Sequence, residues 1–172
     1  DAADPPGDGG VADAGMSFDG GSDLTTNGDF ELGCTGWHET EGTLAASDVP
    51  RRGRSSCRLC TAGSTADSAT VIYQNLVPPE PNGKALVLEA WVRRAPGETT
   101  TPAVDLFLDV GDTTMASQQV TLASDAWQHL TASVTLTTRA EISIGVARSS
   151  GTRPIADGEC ILVDDVTLRP AP

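Results

Sequence analysis

Four cysteines, two histidines and a scatter of carboxylates are the residues here that could do chemistry. Cys57 and Cys60 form a C-x-x-C step, with Cys34 upstream and Cys160 far downstream. A structural zinc site needs a second close pair, or histidines at finger spacing. His38 and His129 supply neither. A thioredoxin-like redox step needs a βαβ setting, and no helical period surrounds this one. Two structural disulfides are the remaining chemistry, and they imply an oxidising compartment. Asp105, Asp109 and Asp112 form an acidic cluster that reads as a solvated face and turn, or at best a second weak cation site. Ser55 and Ser56 have no histidine partner by spacing. Catalysis needs a convergent constellation of such groups, so the chain is expected not to be an enzyme.

The elements that must position these residues are strands. Leu86, Leu88, Ala90 and Val92 alternate with Val87, Glu89, Trp91 and Arg93, a period of two. Val104, Leu106, Leu108 and Val110 share one face of the next run, with Asp105, Phe107 and Asp109 on the other. Leu130, Ala132, Val134 and Leu136 repeat the pattern, as do Ile142, Ile144 and Val146. Turn residues separate the runs: Asn82-Gly83, Ala95-Pro96-Gly97, Gly111-Asp112 and Ser149-Ser150-Gly151. The reading is about ten strands, near 23–31, 42–47, 54–61, 69–77, 84–94, 102–110, 115–122, 127–137, 140–149 and 159–168. Short strands with one apolar face predict an all-β fold, a two-sheet β-sandwich with jelly-roll topology.

The 172 residues suffice for one such domain over 23–172, preceded by a tail. Residues 1–22 are Asp, Ala, Gly and Pro without a periodic apolar pattern, an acidic low-complexity linker. Val11, Met16 and Phe18 are its apolar residues, able to dock on a neighbour. A net charge of −13 repels phosphate, so neither nucleic acid nor anionic membrane is expected as a partner. No run approaches the length of a transmembrane segment. The opening at Asp1, the linker and the cysteines together predict a secreted protein. It would sit outside the cell or on a bacterial surface, lipid-anchored before processing.

Several stretches carry a family resemblance. Asn27-Gly28-Asp29-Phe30-Glu31, with Gly33 and Gly36-Trp37, resembles the opening of carbohydrate-binding modules of families 4, 9 and 22. Arg52-Gly53-Arg54-Ser55-Ser56-Cys57-Arg58-Leu59 resembles a following strand of those modules. Leu88-Glu89-Ala90-Trp91-Val92-Arg93, Ala126-Trp127-Gln128 and the closing Ile161-Leu162-Val163-Asp164-Asp165-Val166-Thr167-Leu168 match further strands in order. The likeness spans about 23–169 and implies a β-jelly roll. Phe30 and Trp37 are then scaffold residues that plug one end of the core.

The resemblance also implies ligands. The matching Glu and Asp of such modules help to hold a structural Ca²⁺, which takes carboxylate and carbonyl oxygens. Glu31 and Asp164 are carried over as metal ligands, with backbone oxygens expected from the loop before Gly53. Asp164 is in phase with Leu162, Val166 and Leu168, so it points inward, where a carboxylate needs a partner. An arginine or a backbone N–H could satisfy it instead. Phase along the strands also puts Cys57 and Cys160 on interior faces, which suggests Cys57–Cys160 and Cys34–Cys60 among three connectivities. Modules of this kind grip sugars with exposed aromatic rings. Tyr73, beside Gln74, and Phe107 are the candidates left once the scaffold residues are set aside. The expected function is a noncatalytic domain binding polysaccharide or a cell-surface glycan. The alternative is a structural subunit of a surface filament or adhesin, whose tail contacts copies of itself.

Overall fold

The computed structural model describes residues 22–62, 69–77, 85–111, 113–137, 139–149 and 157–171. Ten strands fill this span: β1 His38–Thr40, β2 Gly42–Ser47, β3 Ser56–Thr61, β4 Thr70–Leu76, β5 Ala85–Arg94, β6 Ala103–Val110, β7 Thr113–Thr121, β8 Gln128–Thr135, β9 Ile142–Ser149 and β10 Cys160–Pro170. They form two five-stranded sheets with orders β1-β4-β9-β6-β7 and β2-β3-β10-β5-β8. Every pairing is antiparallel. The all-β sandwich expected from the period-two runs is what forms.

One face of each sheet builds the core. Ile72, Leu106, Leu108, Ile144 and Val146 of the first sheet meet Leu88, Ala90, Val92, Leu130, Val163 and Leu168 of the second. Each of these side chains is essentially removed from water. Full burial of one aliphatic side chain contributes about 1.5–3 kcal/mol. The sum over this layer sets the face each strand must present, because a one-residue slip would expose it. Phe30 and Trp37 close one end, ring centroids 5.3 Å apart, as expected. The indole N–H donates to the Asn27 carbonyl at 3.1 Å.

The opening segment departs from expectation. Residues 23–31 form no strand, because Asn27 and Phe30 take positive φ of 51° and 50° and fold the chain into turns. Asn27 holds those turns, its amide donating to the carbonyls of Gly33 and Thr35. The segment still joins the last strand, through Leu24 N–H to Leu168 O and Val166 N–H to Gly28 O. Gly28 is required here, since a Cβ would sit 1.9 Å from the Val166 carbonyl oxygen.

The disulfides are Cys34–Cys57 and Cys60–Cys160, not Cys57–Cys160 and Cys34–Cys60. The reason is a bulge in β10. Its pairing with β5 shifts register between Asp164 and Thr167, and Asp165 has φ of 48°. Before the bulge Ile161 and Val163 face the core, and after it Val166 and Leu168 do. Carrying the alternation straight through assigns Cys160, Leu162 and Asp164 to the wrong side. Cys160 and Leu162 instead build a small outer cluster with Ala95, Val49, Cys60 and Trp127. Cys160 is paired in register with Cys60 on that outer side, while Cys57 turns inward and reaches Cys34.

Candidate functional site

The outer face of the first sheet gathers the chemistry. Residues that alternate with a buried set along β4 and β6 must point away from it, and Tyr73 and Phe107 do. Both are half-buried, while Ile72, Leu106 and Leu108 are buried. Cross-strand register puts His38, Tyr73, Gly145, Phe107 and Ser117 at one level across all five strands. Tyr73 and Phe107 therefore flank the central strand, with only a glycine between them. A Cβ on Gly145 would lie 2.7 Å from Phe107 Cζ and 2.3 Å from the Ile72 carbonyl oxygen. The phenyl ring thus leans over the bare backbone toward Tyr73. The tyrosine ring in turn sits 5.5 Å from the His38 ring, tilted by 37°.

Polar groups border this row. Asp105 and Gln119 pair with each other one level along, next to Ala147 of the central strand. Asn75 and Asp109 both pair with Ser143 on the other side. Asp109 Oδ1 is shielded from solvent and has no hydrogen-bond partner among the described residues. Such an acceptor is rare in a folded protein, because desolvation without a partner is costly. The sequence signals for this face were partial. Phe107 between two aspartates was legible, and Gly145 within an apolar strand marks a close approach. His38 gave none, since β1 is three residues long and exposed.

Gln74 is not part of the face. It alternates with Tyr73, so it is buried, and its amide donates to the carbonyls of Thr26 and Gly36 while accepting the Thr26 N–H. It fastens the opening turns to β4. Val11, Met16 and Phe18 lie outside the described residues.

Glu31 and Asp164 are both turned onto one loop, 51–55. The Asp164 carboxylate is fully buried under that loop rather than in the intersheet core. Oδ2 accepts the Arg51 N–H at 2.7 Å, and Oδ1 accepts the Asp165 N–H at 2.8 Å. Burial nevertheless pushes its pKa up to about 6, against those main-chain donors. Glu31 Oε1 accepts the Arg54 N–H at 2.6 Å. It also crowds Gly53, whose φ of 68° and absent Cβ admit the carboxylate. Ser55 Oγ–H donates to the Phe30 carbonyl and draws the loop onto the opening turns. Among the described residues no three acidic, histidine or cysteine side chains gather around a metal position. A hard cation here would draw on these two carboxylates and the carbonyls of the loop. That donor set suits Ca²⁺, and a carboxylate has lone pairs beyond those the N–H groups use.

No protein-family model matches the chain, and no curated protein matches it in sequence. Solved structures share its fold. A cyclase from Fischerella sp. TAU superposes with a TM-score of 0.73 at 14% identity, covering 88% of this chain and 98% of that one. The CBM22-1 xylan-binding domain of Paenibacillus barcinonensis Xyn10C superposes at 0.67 with 12% identity, over 88% and 96%. A family 4 carbohydrate-binding module superposes at 0.56 with 17% identity, over 85% and 99%. The fold is thus the β-jelly roll that the sequence motifs resembled. The expectation that the chain is not an enzyme does not stand. It rested on the absence of a familiar constellation in the sequence, and cyclases are built on this same frame at this same size.

Proposed function

We propose that this chain is a carbohydrate-binding-module-like domain that holds a polysaccharide on the outer face of its first sheet. The observation that carries the reading is the placement of Tyr73 and Phe107 at one level on either side of Gly145. Two rings flanking a bare strand offer apolar surface to the flat faces of sugar residues. Asp109, Asn75 and Gln119 offer acceptors and donors to their hydroxyls. The jelly roll shared with a xylan-binding domain and a family 4 module supports the same reading. Two disulfides support action outside the cell, where such bonds persist.

Isothermal titration calorimetry against soluble xylan and other neutral polysaccharides tests the proposal. Tyr73→Ala and Phe107→Ala are each expected to weaken binding about tenfold, which corresponds to ~1.4 kcal/mol. Unchanged affinity in both variants, or no binding of any polysaccharide by the wild-type chain, rejects it. Ca²⁺ at Glu31 and Asp164 belongs to the same proposal as a fold-stabilising ion. Millimolar calcium is expected to raise the melting temperature of the wild-type chain. A Glu31→Ala, Asp164→Ala double variant that responds equally removes the ion from those residues.

A further inference from the structure

The opposite sheet carries a cleft of about 300 Å³, bordered by Arg51, Arg52, Glu89, Trp91, Thr167 and Arg169. It lies on the outer face of the second sheet, where the bulge of β10 meets β5 and β8. Trp91 is on this face and not in the intersheet core. Its ring is already occupied: the Arg51 guanidinium sits 3.7 Å above the centroid, and the His129 ring stacks at 4.8 Å. A ligand here cannot be gripped by stacking on that indole.

What the cleft offers is positive charge. Three guanidinium groups meet two carboxylates, in a chain whose overall net charge is −13. Arg51 is paired with Asp165 and Arg169 with Glu89, while Glu89 also faces His129 at 3.3 Å. Arg52 has no ion pair among the described residues, and its backbone N–H already serves Asp164. Thr167 Oγ1 is buried with no hydrogen-bond partner. Arg52 is thus a guanidinium on the cleft without a counter-charge among the described residues.

We propose that this cleft is a binding site for an oxyanion, a carboxylate, sulfate or phosphate group. Arg52 and Arg169 supply planar N–H forks that match two oxygens of such a group. Glu89 limits affinity, because its charge opposes the ligand and holds Arg169. The site is separate from the aromatic face, lies on the other sheet, and stands whether or not that face binds polysaccharide.

Calorimetry of the full chain at constant low ionic strength tests it, with methyl glucuronide, inorganic phosphate, methyl glucoside and chloride as probes. Saturable binding of the anionic probes is expected, with none for the neutral glucoside or for chloride. A preference for the uronide over phosphate assigns the group to an acidic saccharide. Equal or stronger binding of phosphate assigns it to a free anion. Arg52→Ala, Arg169→Ala should weaken binding more than tenfold. Glu89→Gln should tighten it several-fold, a gain that misfolding cannot mimic. No saturable signal from either anion, equal response to the glucoside, or weaker binding in Glu89→Gln overturns the site and leaves an ion-pair network that only pins the 51–55 loop.

Discussion

Replacing Asp164 by Asn should remove a pH dependence that runs opposite to that of most carboxylates. A surface aspartate paired with a cation has a lowered pKa and loses stability in acid. Asp164 has its pKa raised by burial to about 6 from an ordinary 3.8. In a chelator-treated sample, its ionised form therefore costs folding energy. The cost is fully present above about pH 6 and is lost as pH falls through 6 to below 3.8. One pKa unit is worth about 1.4 kcal/mol, so the rise from 3.8 to about 6 corresponds to ~3 kcal/mol. The Asn side chain cannot titrate. It also turns an N–H₂ or a single oxygen toward the Arg51 N–H, which lowers stability by a constant ~1–3 kcal/mol. The slope separates the two effects. Urea unfolding at a series of pH values in EDTA should show the wild-type free energy rising relative to Asp164→Asn by ~2.5 kcal/mol between pH 7.5 and 4. Every other titrating group is common to both proteins and cancels in the difference. Parallel curves would show that the carboxylate is not strained by burial, and the account of the loop as its cover would fail.

Gly145→Ala should lower stability and polysaccharide affinity together, since its Cβ meets the Ile72 carbonyl at 2.3 Å and the Phe107 ring at 2.7 Å. Denaturation and calorimetry on one sample check this, and a variant that binds normally would detach Phe107 from the site. The two disulfides close sequence separations of 23 and 100. Chain entropy assigns them about 3 and about 5 kcal/mol. Peptide mapping should recover Cys34–Cys57 and Cys60–Cys160. Cys60→Ser, Cys160→Ser should cost more in urea denaturation than Cys34→Ser, Cys57→Ser, and the reverse order contradicts the entropic argument.

Much of the frame was legible because burial on one face writes itself as alternation. β5 and β8 alternate cleanly for that reason, and Leu106, Leu108, Ile142, Ile144 and Val146 of β6 and β9 also fell where the period put them. Alternation fails wherever the backbone breaks it. The bulge at Asp164 reversed the phase of the first half of β10, so the burial of Asp164 was foreseeable but the side it faces was not. The same half-turn misassigned the cysteine partners. Gln74 illustrates a different limit: an amide beside a tyrosine suggests sugar hydroxyls, yet its partners are carbonyls 38 and 48 residues away in sequence. The cleft around Trp91 was invisible for a related reason. Its groups come from the 51–55 loop and three strands, and no local spacing joins them.

The cross-links also decide how this domain meets a mechanical load. Leu24 lies beside Leu168, so a pull on the two described ends would first peel the opening segment from the closing strand. The Cys34–Cys57 bond then removes the chain between those residues from the line of tension. Cys60–Cys160 does the same for most of the domain. The tension runs through short stretches of covalent backbone and two sulfur bridges, and both the aromatic face and β5 lie within the bypassed chain. A domain tethered in flowing surroundings would keep its aromatic face folded while its ends stretch.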